Sequence, residues 1–257
     1  MSDALINKSI QPPLAHEASL IGAWINLASP LVAEAVAAIG FDWLLLDAEH
    51  GPNDVSTVLP QLQAVGAYPS VAVVRIPNHD AALIKRYLDI GAHNLLVPMV
   101  DTAEQATAIV QASRYSTAGM RGVGAGLARA SRWSLNSDYL ESANASVRVI
   151  AQIETERGLQ NLEEIMRVDG VDAVFFGPAD IAASKGLLGQ AGDSTVKQAV
   201  LEGIEAARAA NMPSGVFSGD QAFLKQCESA GARLLGVTSD VSLLVSNGKR
   251  VLSEYRS

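Results

Sequence analysis

The sequence predicts a (β/α)8 barrel, and three observations predict it. Apolar runs of strand length alternate with helix-period segments along the chain, giving eight strand–helix units. The runs are continuously apolar rather than alternating, as in parallel strands buried on both faces. The length, 257 residues, is close to the ~250 of a typical single barrel. A doubly wound open sheet is the competing architecture, but it prefers a glycine fingerprint after its first strand, and "LASPLVAEA" holds none. One domain is expected over 1–257, with 1–18 as an N-terminal extension and 240–257 as a C-terminal helix.

The elements follow in order. "LIGAWINLA" (20–28) leads into "SPLVAEAVAAIG", where Ser29 supplies a cap, Pro30 fits the first turn and Gly40 stops the helix. "FDWLLLDAEH" (41–50) is the second strand, and the next helix opens at Asn53 and carries Pro60, a candidate kink. "SVAVVRIP" (70–77) precedes the helix "NHDAALIKRYLDIGA", and "NLLVPMV" (94–100) precedes "DTAEQATAIVQASR". An interruption rich in Gly, Ser and Arg follows, "YSTAGMRGVGAGLARASRWSLNSDY", with little periodicity. After a short helix, "VRVIAQIE" (147–154) precedes "RGLQNLEEIMRV", with Thr155 as its cap. "DAVFFGPAD" (172–180) comes before a Gly-rich loop and a long helix, "PSGVFSG" (213–219) before "DQAFLKQCESAGA", and "RLLGVTSD" (233–240) before the last helix.

Composition narrows the function classes. Hydrophobic residues make up 49% of the chain, enough for a large core. A net charge of −8 with scattered Lys and Arg argues against a nucleic-acid or anionic-membrane partner. The lone cysteine, Cys227, excludes an internal disulfide and a cysteine zinc cluster. The first twenty residues lack the basic-then-apolar order of a secretion signal, and no apolar run approaches the ~20 residues of a membrane span. A cytoplasmic enzyme is the expectation.

Barrels of this kind carry their chemistry at the C-terminal ends of the strands. Those ends hold Asp47, Glu49 and His50 after strand 2, Arg75 after strand 3, Gln152 and Glu154 on strand 5, and Asp180 after strand 6. Strand periodicity puts Gln152 and Glu154 on one face, either a solvated strand end or the floor of a site. Asp180 also reads as the cap of a short turn. Glu154 and Asp180 on neighbouring strands suit a hard divalent cation, Mg²⁺ or Mn²⁺, with Co²⁺ possible in the same donor set. Zinc is disfavoured because the four histidines lie apart. His16, His79 and His93 read as surface or capping residues, whereas His50 follows an acidic strand end. Arg75 closes a core-type strand and needs an anionic partner, either Asp47 or the oxygen of a bound oxo acid. "RGVGAG" (121–126) lacks the Lys-Ser/Thr of a phosphate loop and reads as a close-approach loop near the site mouth, with Arg121, Arg129 and Arg132 available to anions or a neighbouring subunit. No lysine ends a core strand, which disfavours Schiff-base chemistry.

Taken together, "FDWLLLDAEHGPND", "VVRIP", "IKRYLDIGAHNLLVPMVDTAEQA", "RGVGAGLARASRW", "AQIET" and "GPADIAASKG" resemble the 4-hydroxy-2-oxoheptanedioate aldolase (HpcH/HpaI) family, in order, from about residue 20 to 245. The resemblance implies a metal-dependent pyruvate aldolase that reversibly cleaves 4-hydroxy-2-oxo acids into a 2-oxo acid and an aldehyde. It implies Glu154 and Asp180 as metal carboxylates, Gln152 as a neighbouring amide, and Arg75 on the keto oxygen. It also implies His50 as the acid/base group with Asp89 as its dyad partner, and Asp47 in the supporting hydrogen-bond network. The backbone N–H groups of Ala179 and Asp180 are implied to hold the substrate carboxylate, and Trp24 to line the pocket. Phe217 stands where relatives often carry a smaller aliphatic residue, which implies an altered aldehyde range. A hexamer built as a trimer of dimers is implied as well, with the C-terminal helix against a neighbouring subunit. A CoA-thioester lyase or an oxaloacetate decarboxylase on the same scaffold is the alternative.

Overall fold

The computed structural model of the chain describes residues 18–256. The expected N-terminal extension up to residue 17, with His16, lies outside them. Eight parallel strands close into a barrel in sequential order: β1 (Leu20–Ile25), β2 (Trp43–Asp47), β3 (Val71–Arg75), β4 (Asn94–Val97), β5 (Arg148–Ile153), β6 (Ala173–Phe176), β7 (Ser214–Phe217) and β8 (Leu234–Ser239). β8 pairs with β1, which closes the sheet on itself. The helices between them are α1 (Pro30–Ile39), α2 (Val55–Val65), α3 (Ala81–Asp89), α4 (Ala103–Ser113), α5 (Tyr139–Ser146), α6 (Glu156–Gln160), α7 (Leu162–Met166), α8 (Pro178–Ser184), α9 (Ser194–Ala209), α10 (Gln221–Ala230) and α11 (Asp240–Arg256).

Strand alternation divides the core into two layers. Leu44, Leu46, Val74, Leu95, Val149 and Val174 face outward and pack under the helices. Trp24, Trp43, Leu45, Val73, Leu96, Ile150, Ala173, Phe175 and Leu234 fill the barrel interior. Each inward series turns polar at its upper end: Leu45 is followed two residues on by Asp47, Val73 by Arg75, Ile150 by Gln152 and Glu154, and Trp24 by Asn26. The same alternation that fills the interior therefore floors the mouth with polar groups. Gly236 leaves room for two of the rings, since a Cβ there would come within 2.8 Å of Phe217 and closer still to Trp24.

Local signals set most boundaries. Ser29 caps α1, accepting from the Val32 N–H, and Gly40 ends it with φ of 101°. Thr155 caps α6 through the Gly158 N–H. The α2 cap is Asp54 rather than Asn53: Asp54 forms a capping box with Thr57, and Asn53 instead donates to the Asp47 carbonyl at 2.7 Å. Pro60 sits within α2 without interrupting it. The helix expected over "RGLQNLEEIMRV" breaks into α6 and α7 at Asn161, whose amide is drawn to the Asp101 carbonyl at 2.7 Å.

The interruption after α4 contains two 3-10 turns, Ala125–Leu127 and Arg129–Ser131, before α5. It does not border the mouth as the sequence led us to expect. Arg121 pairs with Asp89 at the C-terminal end of α3, and Arg129 donates to the Ile90 carbonyl. Helices of a barrel return antiparallel to its strands, so these contacts lie at the opposite end from the strand termini. His93, just before β4, is buried at that same end rather than being a surface residue.

Candidate active site

Asp47 and Arg75 are register partners at the ends of β2 and β3. The Arg75 guanidinium donates to both oxygens of Asp47, through Nε at 2.9 Å and Nη2 at 2.7 Å. Its Nη1 lies 2.9 Å from Glu49. Asp47 is fully buried and also accepts from Asn26 Nδ2 at 2.8 Å. Of the two partners open to Arg75 from the sequence, the strand-end carboxylate is present. Asp47 occupies two of the five guanidinium donors, which leaves others for a substrate oxygen.

Glu154 follows β5 and is 2% exposed. One oxygen accepts from the Met99 N–H at 2.7 Å and the other from Gln152 Nε2 at 2.6 Å. Met99 presents that N–H from a left-handed backbone, φ 55°. Burial pushes the Glu154 carboxyl up to about 8, and the negative charges of Asp180 and Glu49 push the same way. Glu49 is also raised, chiefly by burial. Asp180 sits in the first turn of α8, whose capping position is held by Gly177, so Asp180 is not the helix cap. The N–H groups of Ala179 and Asp180 lie in that turn, where no intrahelical acceptor is available.

The donor set fits a hard cation. The negative charge of half-buried Asp180 acts unfavourably on buried Glu154, and a divalent ion between them would reverse that cost. Gln152 Oε1 is buried without a hydrogen-bond partner, a further oxygen beside Glu154. Gly177 keeps the space open: a Cβ there would stand 2.7 Å from Glu154 Oε2. Among the described residues no group of three or more His, Cys, Asp or Glu side chains is arranged around one point. The chain thus offers two carboxylates and leaves the remaining positions to water or substrate, as Mg²⁺-type sites do.

A cavity of about 620 Å³ opens over these groups. Asn26, Asp47, Arg75 and Gln152 are among its polar lining residues, with Ala179 and Asp180 from α8. Trp24, Phe175 and Phe217 form an aromatic wall, with centroids 5.5 Å (Trp24–Phe175) and 4.4 Å (Trp24–Phe217) apart. Lys197 of α9 reaches the rim, paired at 2.7 Å with Asp220. Glu154 does not itself line the cavity, but Gln152, which donates to it, does.

His50 stands at the cavity rim with its side chain 65% exposed, and its nearest charged partner is Glu49 at 3.8 Å. The expected His50–Asp89 dyad is not formed within the chain. Asp89 ends α3 at the opposite end of the barrel, where it accepts from Arg121 at 2.8 Å. Two residues that the sequence reading passed over also belong to the site. Asn26 binds Asp47, and Asp240, 4% exposed, accepts the N–H groups of Asn26 and Leu27 at 3.0 Å. Asn26 carried a usable signal, since it shares a strand face with Trp24 two residues earlier.

The chain is similar to proteins of known activity over nearly its whole length. The family model described as HpcH/HpaI aldolase/citrate lyase matches residues 20–247. A hydroxypyruvate/pyruvate aldolase of Deinococcus radiodurans is 45% identical, covering 98% of this chain and 91% of that protein. A 4-hydroxy-2-oxo-heptane-1,7-dioate aldolase of Salmonella arizonae is 46% identical over 91% of this chain and 89% of its own length. Among solved structures, an HpcH/HpaI aldolase/citrate lyase family protein from Burkholderia cenocepacia superposes with a TM-score of 0.91 at 41% identity, covering 95% of this chain and 98% of that one. With the family model spanning most of the chain and relatives this similar on the same barrel, the protein belongs to the HpcH/HpaI aldolase/citrate lyase family.

Proposed function

We propose that this protein is a divalent-metal-dependent aldolase that reversibly splits 4-hydroxy-2-oxo acids into pyruvate, or a related 2-oxo acid, and an aldehyde. The observation that carries the reading is a buried Glu154, within electrostatic reach of Asp180 and Arg75, at the strand ends of an aldolase-family barrel, where Asp180 and Arg75 line a cavity that also carries aromatic rings. Glu154 and Asp180 would hold the cation, Mg²⁺ or Mn²⁺ by the hardness of the donors. When bound, the cation supplies Lewis-acid stabilisation of the charge that develops on the oxo-acid oxygen.

The remaining work falls to the chain itself. Arg75, held rigidly by Asp47, places positive charge where the keto oxygen becomes an enolate. The N–H groups of Ala179 and Asp180 take the substrate carboxylate. His50 moves the proton at the aldehyde-derived hydroxyl from its exposed rim position. Trp24, Phe175 and Phe217 exclude water from the aldehyde side. A homo-oligomer in the cytoplasm completes the proposal. The apolar residues Leu244, Val251, Leu252 and Tyr255, exposed along α11, support the oligomer.

The test is pyruvate release from a 4-hydroxy-2-oxo acid, coupled to lactate dehydrogenase. Activity disappears after verified removal of divalent metal and returns with Mg²⁺ or Mn²⁺. Glu154→Ala loses at least about 100-fold in kcat. Full turnover by the metal-stripped protein would sink the metal assignment.

A further inference from the structure

Among the described residues that line the cavity, Arg75 and Lys197 carry permanent positive charge, and they belong to different sides of the mouth. Arg75 ends β3, whereas Lys197 meets Asp220, three residues beyond the end of β7. β3 and β7 are four strands apart in a closed barrel of eight, so they face each other across it. The Arg75 side takes the oxo acid, and the side of Phe217 and Asp220 is left to the aldehyde. Asp220 divides its carboxylate between two tasks. Its Oδ1 accepts from the Ala222 and Phe223 N–H groups at 3.0 Å and caps α10. Its Oδ2 accepts from Lys197 Nζ at 2.7 Å. That Nζ also lies 5.3 Å from the ring centroid of Phe223, another lining residue, which fixes the ammonium at the lip. The hydrogen bond from Lys197 holds the Asp220 carboxyl below the usual carboxylate range, so the pair stays charged. The cation on the aldehyde side is therefore already neutralised. A substrate carboxylate arriving there reaches Lys197 only by displacing Asp220 Oδ2, and it then faces that carboxylate unpaired. An uncharged tail meets no such penalty.

We propose that Asp220 selects uncharged aldehydes: by occupying Lys197 it turns away acceptors that end in a carboxylate. In the cleavage direction the same pair favours 4-hydroxy-2-oxo acids whose far end is neutral. The inference rests on the aldolase reading and adds the charge class of the acceptor.

The experiment is aldol addition of pyruvate by the full-length, metal-loaded enzyme, with the product measured by liquid chromatography. Succinate semialdehyde is compared with its methyl ester, and 5-oxopentanoate with its methyl ester. Each pair differs in the charge of the far end, at two chain lengths. The wild-type enzyme favours the ester in at least one pair by at least about fivefold in kcat/KM. Asp220→Asn keeps a cap oxygen for α10 and frees Lys197, and it moves that ratio at least about fivefold towards the carboxylate. Asp220→Ser, a second residue suited to the cap, moves it the same way. Adding Lys197→Met to Asp220→Asn removes most of the gain, and high salt weakens it. A residue that only caps α10 would change both members of a pair alike, so an unchanged ratio in both cap-preserving variants overturns the assignment. A gain that survives the loss of Lys197 overturns it too, as does equal use of both members of both pairs by the wild-type enzyme. No product with any of the four aldehydes overturns the aldolase reading itself, and the assignment with it.

Discussion

Arg75 ends a strand of valines, and its guanidinium is almost wholly buried. Such a charge persists only with a partner, and the fork geometry of guanidinium against Asp47 supplies one while directing unused donors upward. Lysine cannot reproduce that fork. Arg75→Lys therefore loses on the order of 100-fold in kcat/KM for the oxo acid, and about 2 kcal/mol of stability as Asp47 is left incompletely paired. Steady-state kinetics with urea titration checks both, and a variant with native kinetics would show that the oxo acid does not meet this side chain. The need for a partner was legible in the sequence, because a strand made for burial does not end in arginine without one. Which partner it would be was not legible: the Asp47–Arg75 register is a property of the assembled sheet. Asp89 shows the converse. Its motif is recognisable, but its place at the end of α3 puts it beyond reach of His50 in the same chain.

The site is assembled by elements, with the loops after β4, β5 and β6 converging on one carboxylate. Met99 supplies an N–H from the first, Glu154 stands on the second, and Gly177 opens the third. Gly177 has φ of −104°, which alanine adopts readily, so its importance is space rather than backbone freedom. An added Cβ would press on Glu154 Oε2 at 2.7 Å, on Glu154 Cβ at 3.0 Å and on Gln152 Nε2 at 3.3 Å. Gly177→Ala should keep the fold and move the carboxylate, lowering kcat by about 10- to 100-fold and weakening Mg²⁺ or Mn²⁺ binding in titration calorimetry. Native metal affinity in that variant would place the cation elsewhere. Helix caps at this scale were legible where the signal is local, as with Ser29 and Thr155. They were not where tertiary demand intervenes. Asn53 and Asp54 both suit a cap, and Asn53 is recruited to the Asp47 carbonyl instead.

Across the whole molecule, strand–helix alternation made the barrel legible because every unit repeats the same local pattern. The segment after α4 has no such pattern, and only packing could show that it covers the barrel's far end. That packing has an electrostatic consequence at His93. Burial holds its pKa down to about 4, and the Arg121 and Arg129 charges act in the same direction. The folded protein therefore keeps His93 neutral where the unfolded chain, titrating near 6.5, takes up a proton. Between these values the unfolded state binds more protons, so the stability linked to His93 is complete above about pH 6.5 and is lost as the pH falls towards about 4. At about pH 5 the loss amounts to about 2 kcal/mol. Reversible urea titrations at about pH 7.5 and about pH 5 measure it. His93→Gln, which carries no titrating proton, should lose about 2 kcal/mol less between the two conditions than the wild-type protein. An equal loss in both proteins would mean that His93 is charged in the fold, and that the acid-sensitive group lies elsewhere.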